Sequence, residues 1–293
     1  MPLKRFSRVN KKLLKLILKI LLTGLALYLV FNKIDTRATW QVIKDAHKGW
    51  LFLAWFLFVL SKVFCAFRLN IYFRDVGVYI SELKNIKLYG IGMFYNLFLP
   101  GGIGGDGYKV YLLNKTQDST VKQLLNAVLL DRGNGLAVLL FLLFGLMVWL
   151  NLEWPLPISF SMAGIIGMLM MPPGFYLVMR LFFPSFMHSL LPTTGYSFLN
   201  QVIQLFSAFF ILMSLGLQGQ FLEYLFVFLV SSTVSVLPLT IGGVGARELV
   251  FVFAHDYVGI DKNAAVAFSL LFFVITAFTS FSGAFLKFRE SNR

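Results

Sequence analysis

Two short stretches of this chain combine residue types suited to holding an anion. Residues 100–109 read PGGIGGDGYK and residues 238–247 read PLTIGGVGAR, and both fit P-x-x-I-G-G-x-G-x-(K/R). Glycine runs of this kind expose backbone N–H groups, and such nests and helix N-termini attract anions. A cation closes each copy, Lys109 in the first and Arg247 in the second. Phosphate is the natural match, because arginine holds it bidentately and lysine acts on it as a point charge. Asp106, Asp131 and Glu248 stand close in sequence and are expected to neutralise the cations partly when the site is empty. The backbone that breaks the helices comprises Pro100, Gly101, Gly102, Gly104 and Gly105 in one copy and Pro238, Gly242, Gly243 and Gly245 in the other. Plainer readings compete with each of these. Lys109 reads as a loop lysine, Arg247 and Glu248 as a structural pair, and Asp131 with Arg132 as the cap of the helix they open.

The elements that must position these residues are transmembrane helices. Of 293 residues, 58% are apolar and 13% charged, with a mean hydropathy of +0.78, whereas soluble domains carry about 25% charged residues. Residues 181–222, 224–246 and 264–286 contain no Asp, Glu, Lys or Arg. Runs of roughly 18 or more such residues cross the hydrocarbon core as helices, and the period-2 alternation of an outer-membrane barrel is absent. The expected fold is an all-α polytopic bundle forming a single transmembrane domain over 1–293, with six full spans near 13–31, 51–67, 124–150, 158–182, 198–217 and 264–286. Residues 32–50, 68–87 and 183–197 read as loops. Lys62 and Arg68, placed near the end of the second span, read as snorkelling interface residues.

The segment 88–99 stops at Pro100, where four of six residues are glycine, and it is too short to span. It reads as one arm of a re-entrant hairpin, with its motif region at 88–114 and a second at 222–258. Three full spans separate the copies, so the two hairpins are expected to enter from opposite faces, as in the inverted repeats of secondary transporters.

The net charge of +13 does not point to nucleic acid. Lys4, Arg5, Arg8, Lys11, Lys12, Lys15 and Lys19 crowd the N-terminus ahead of the first apolar run, which is the positive-inside pattern. Residues 1–12 and the basic tail are both expected in the cytoplasm, and the first helix is expected to stay uncleaved. A lone Cys65 leaves no internal disulfide. His47, His188 and His255 are scattered, so no metal and no cofactor are assigned. No hydrolase elbow, Walker loop or zinc-protease helix is present, and the chain is not expected to be an enzyme.

With these motifs placed, the chain resembles the flippase-like family of the lysylphosphatidylglycerol synthase transmembrane region, which includes the N-terminal half of the multiple peptide resistance factor. The resemblance runs through Asn96 to Pro100, Gly104, Gly105, Asp106 and Lys109, then Asp131 and Arg132, then Pro238 and Gly242 through Glu248. Lys109 stands where arginine is expected and Asp131 where glutamate is more usual, so both keep the charge. The resemblance implies an inner-membrane flippase for an anionic phospholipid or lipid-linked intermediate, and adds Asn96 and Arg132 to the candidate binding set. It does not imply lysyl transfer, which belongs to a separate aminoacyl-transferase domain that the sequence is expected to lack. A membrane-embedded transferase acting on a polyprenyl phosphate, with Asp106 or Asp131 as base, and a non-transporting partner of an envelope-lipid synthase are the alternatives. The lipid's identity, the direction, the energy coupling and the oligomeric state are not encoded in these motifs.

Overall fold

A computed structural model of the chain describes residues 21, 28, 35–98, 104–116, 119–150, 152–154, 157–236 and 245–288. Ten α-helices follow one another among them, with no strand. They are α1 (Thr36–Lys44), α2 (Lys48–Asp75), α3 (Glu82–Phe98), α4 (Gly104–Thr116), α5 (Val121–Trp149), α6 (Phe160–Phe182), α7 (Leu190–Ser214), α8 (Phe221–Val236), α9 (Ala246–Val258) and α10 (Lys262–Phe281). A 3-10 turn, Pro184–Ser189, leads into α7, and another, Ser282–Phe285, follows α10. Five stretches are long and apolar enough to cross a membrane: Lys48–Asp75, Val121–Trp149, Phe160–Phe182, Pro184–Ser214 and Lys262–Phe285. The chain is an all-α polytopic membrane protein. Five of the six expected spans are thereby accounted for, and the run 13–31 lies outside the described residues apart from Leu21 and Tyr28.

Local signals start these helices where packing needs them. Thr120 and Gln123 form a reciprocal cap at α5, the hydroxyl accepting from the Gln123 amide at 3.4 Å and the Gln123 side chain accepting from the Thr120 amide at 3.0 Å. Asp261 caps α10 by accepting from the Ala264 amide at 2.8 Å. The outward faces are apolar, as on α6, where Leu169, Met170 and Leu181 are exposed. Exposed apolar side chains in such numbers suit a lipid solvent and would be anomalous in water.

Four sequence boundaries are corrected. The helix expected to end at 67 continues to Asp75, because nothing interrupts it before Gly77, whose φ of +80° permits the turn. The stretch 183–197 is not a loop: helix α7 begins at Leu190, with Pro192 in its first turn, where a missing N–H costs nothing. The expected loop 32–50 contains α1, capped by Asp35. The broken segment begins at Glu82, giving α3 17 residues, about 26 Å of helix and still short of a full crossing.

The duplication extends well past its motif. Pro100 and Pro238 stand 138 residues apart, and the same spacing carries α2 onto the Pro184–Ser214 stretch, α3 onto α8, α4 onto α9 and α5 onto α10. Packing follows this equivalence. The most extensive contact is between the equivalent helices α2 and α7. Around it, α3 packs on α4 as α8 does on α9, α4 on α5 as α9 on α10, and α3 on α10 as α8 on α5. Each short-helix pair thus folds back on itself and docks on the long helix of the opposite half.

Candidate functional site

Charged side chains lie in the interior of an otherwise apolar bundle. Arg68, Asp106, Lys109, Asp131 and Glu248 are all buried. At the centre of a membrane helix each such group costs about 2.5–3.5 kcal/mol on insertion scales, so partners are required.

Arg68 finds its partner across three helices. Its Nε donates to Asp131 Oδ1 at 2.7 Å, and an η nitrogen donates to Ser197 Oγ at 2.8 Å, tying α2 to α5 and α7. Below this pair, Asn134 donates to the Tyr72 hydroxyl at 2.8 Å, and Tyr72 donates to Thr193 at 2.9 Å. Asp131 lies eleven residues into α5, too deep to cap it; it neutralises Arg68.

Asp106 serves two cations. Its Oδ1 receives Lys109 Nζ at 3.1 Å and its Oδ2 is paired with Arg132 Nε. Lys109 also stands 4.3 Å from the centre of the Tyr89 ring, which adds a cation–π contact to a charge with little access to water. Lys109 is therefore buried inside the bundle, not on a loop.

The second copy is built differently. Arg247 enters α9 one residue after its start, with its Cζ 4.8 Å from the Phe272 ring centre. Its Nε is buried without a hydrogen-bond partner. Glu248 does not pair with it. One Glu248 oxygen accepts from the Gly245 amide at 2.7 Å and the other from the Ser269 hydroxyl at 3.0 Å. Acid neutralisation, expected for every cation, holds for Lys109 and Arg132 and fails for Arg247.

The expected bare N–H groups are also revised. The Gly105 amide donates to Asn96 Oδ1 at 2.8 Å, bridging α3 and α4, and the Gly245 amide is taken by Glu248. These two glycines therefore offer no free donor to an anion. Gly245 does have the positive φ, +84°, that the break requires, and Gly104 opens α4. Pro100, Gly101, Gly102, Pro238, Gly242 and Gly243 lie outside the described residues.

Two cations were missed as interior residues. Arg68 is 3% exposed and snorkels nowhere. Lys62, assigned to an interface, sits in the middle of α2, about 20 Å from either end at ~1.5 Å per residue. It makes no ion pair or hydrogen bond among the described residues, and its Nζ lies 4.6 Å from the Phe58 ring centre. The missed signal was the absence of glycine or proline between 51 and Gly77, which would have moved both residues inward.

Comparison with known proteins places the chain among membrane proteins. A family model described as the lysylphosphatidylglycerol synthase TM region matches residues 16–283. A UPF0104 membrane protein of Pyrococcus horikoshii is 23% identical over 282 residues, covering 80% of this chain and 84% of that protein. Another, of Methanocaldococcus jannaschii, is 25% identical over 211 residues, covering 64% of this chain and 89% of its own length.

Proposed function

The chain belongs to the family of the lysylphosphatidylglycerol synthase TM region, and on that premise we propose that it moves an anionic, phosphate-bearing lipid between membrane leaflets. What supports the reading is the set of ionised groups inside the otherwise apolar bundle, where cations outnumber acids. Lys62, Arg68, Lys109, Arg132 and Arg247 face Asp106, Asp131 and Glu248. A headgroup with a negative charge is attracted to such an interior, while the acyl tails remain in hydrocarbon beside the apolar outer faces. Asn96 holds the first broken segment together, and Asp106 gathers Lys109 and Arg132 beside it. In this reading the chain makes and breaks no covalent bond, and a lipid-synthesising enzyme of the envelope supplies its cargo.

Reconstitution tests it. Purified protein in liposomes carrying trace fluorescent phosphatidylglycerol is expected to expose the inner-leaflet probe to an impermeant quencher, whereas protein-free vesicles keep it protected. Protection identical in both would end the transport reading, and appearance of a covalently altered lipid would replace it with an enzymatic one.

The mechanism further requires the two short-helix pairs to enter from opposite faces of the inner membrane, with both termini cytoplasmic. Three long helices, α5, α6 and α7, separate the pairs. Cysteines placed at Thr116 and Asn263 in a Cys65→Ser background are expected to react with an impermeant maleimide from opposite sides. Reaction of both from one side would remove the inverted arrangement and the alternating access that depends on it.

A further inference from the structure

We propose that Lys62 and Arg247, one from each half of the molecule, clamp a single phosphate group, and that this phosphate belongs to a phosphodiester lipid headgroup. The inference rests on the transport reading for its lipid, but its residues follow from a charge account of the interior. Arg68 is matched by Asp131, and Lys109 shares Asp106 with Arg132. Lys62 and Arg247 remain without a carboxylate contact among the described residues, and Arg247 keeps a buried nitrogen with no acceptor.

Their placement joins them. Lys62 sits on Phe58 and Arg247 on Phe272, and these two buried rings meet edge to face at 5.6 Å with an interplanar angle of 90°. Like charges held over one apolar floor repel, and an anion between them converts that repulsion into two attractions. Lys62 and Arg247 are only partly buried, unlike Arg68 and Lys109 at 3% exposure each. Glu248 is the next residue along the chain and brings one negative charge to the neighbourhood, although its oxygens are committed to Gly245 and Ser269. Lys62, Arg247 and Glu248 together therefore carry one net positive charge. A phosphodiester, with one negative charge, neutralises it, and an uncharged headgroup leaves it standing. The guanidinium supplies the planar fork and the ammonium a point charge.

Binding to the detergent-solubilised protein, read by calorimetry, tests the clamp with dihexanoyl-phosphatidylglycerol as probe. Dihexanoylglycerol, which lacks the phosphate, is expected to bind at least about 10-fold more weakly, in line with loss of a charge-assisted contact. Lys62→Gln and Arg247→Gln are each expected to weaken the phosphatidylglycerol probe about 10-fold or more, and the double variant by clearly less than the product of the two. Lys62→Arg, which keeps the charge, is expected to stay within a few-fold of the parent, and Arg247→Lys, which keeps the charge and loses the fork, to fall between the parent and Arg247→Gln. Lys62→Gln removes an unpartnered charge, so it should melt no lower than the parent, and a lost affinity then reports the site and not the fold. Unchanged affinity in both single variants, multiplicative losses, or equal binding of dihexanoylglycerol would overturn the clamp. Inorganic phosphate competing as well as the lipid would overturn its assignment to a headgroup. The liposome assay separates the two ideas: binding without lipid movement defeats transport alone, and movement indifferent to both substitutions defeats the clamp alone.

Discussion

Arg68→Ala is expected to cost the folded protein about 3–5 kcal/mol, the range found when one partner of a buried ion pair is removed. The alanine leaves the Asp131 carboxylate buried in α5 with its 2.7 Å partner gone, and it also strips Ser197 on α7 of its donor. Three helices lose a shared contact at once. α2 and α7 are the equivalent pair that packs most extensively, so the damage falls at the junction of the two halves. Thermal melting in detergent should drop sharply, with little monodisperse protein recovered. Removing both charges, in Arg68→Met with Asp131→Leu, should restore much of the loss, because no uncompensated ion remains. A melting temperature unmoved by Arg68→Ala would mean that the pair is not what joins these helices.

Gly105→Ala is expected to be nearly as damaging, although it adds one methyl group. A Cβ at Gly105 would lie 1.8 Å from the Gly92 carbonyl oxygen and 2.8 Å from the Gly92 Cα. Those atoms are backbone and have no rotamer to swing away. α3 and α4 must separate, and the hydrogen bond from the Gly105 amide to Asn96 goes with them. Overpacking a tight core costs about 1–3 kcal/mol and occasionally more, and rigid backbone on both sides puts this site at the upper end. Gly107, two residues on, is the internal control. Nothing lies within 4 Å of a Cβ there, so Gly107→Ala should leave stability level or raise it by about 0.5–1 kcal/mol through helix propensity. Comparable melting of the two variants would contradict the close crossing of α3 and α4.

The sequence alone was enough for class and approximate span count. The reason is physical. In hydrocarbon each helix must satisfy its own backbone and present apolar side chains, and both requirements are met by neighbours in the chain. The runs around 124–150, 158–182 and 264–286 carry their signal in their own residues. The repeat was visible only at its motif, where six specified positions coincide; that the 138-residue spacing extends from α2 to α10 emerged from helices that share architecture without sharing residues. Tertiary structure decided what each charge does. Nothing local distinguishes Arg68, held by an acid 63 positions away and a serine 129 positions away, from a lysine or arginine that snorkels. Misplacing one helix end by eight residues moved Lys62 and Arg68 from the interior to the interface, because depth in a membrane is read from distance to the helix terminus. Glu248 was adjacent to Arg247 in sequence and turned to Gly245 and Ser269 instead. Consecutive residues on a helix point about 100° apart, so adjacency is poor evidence for a pair; only the packing of α9 on α10 shows which neighbour each side chain meets.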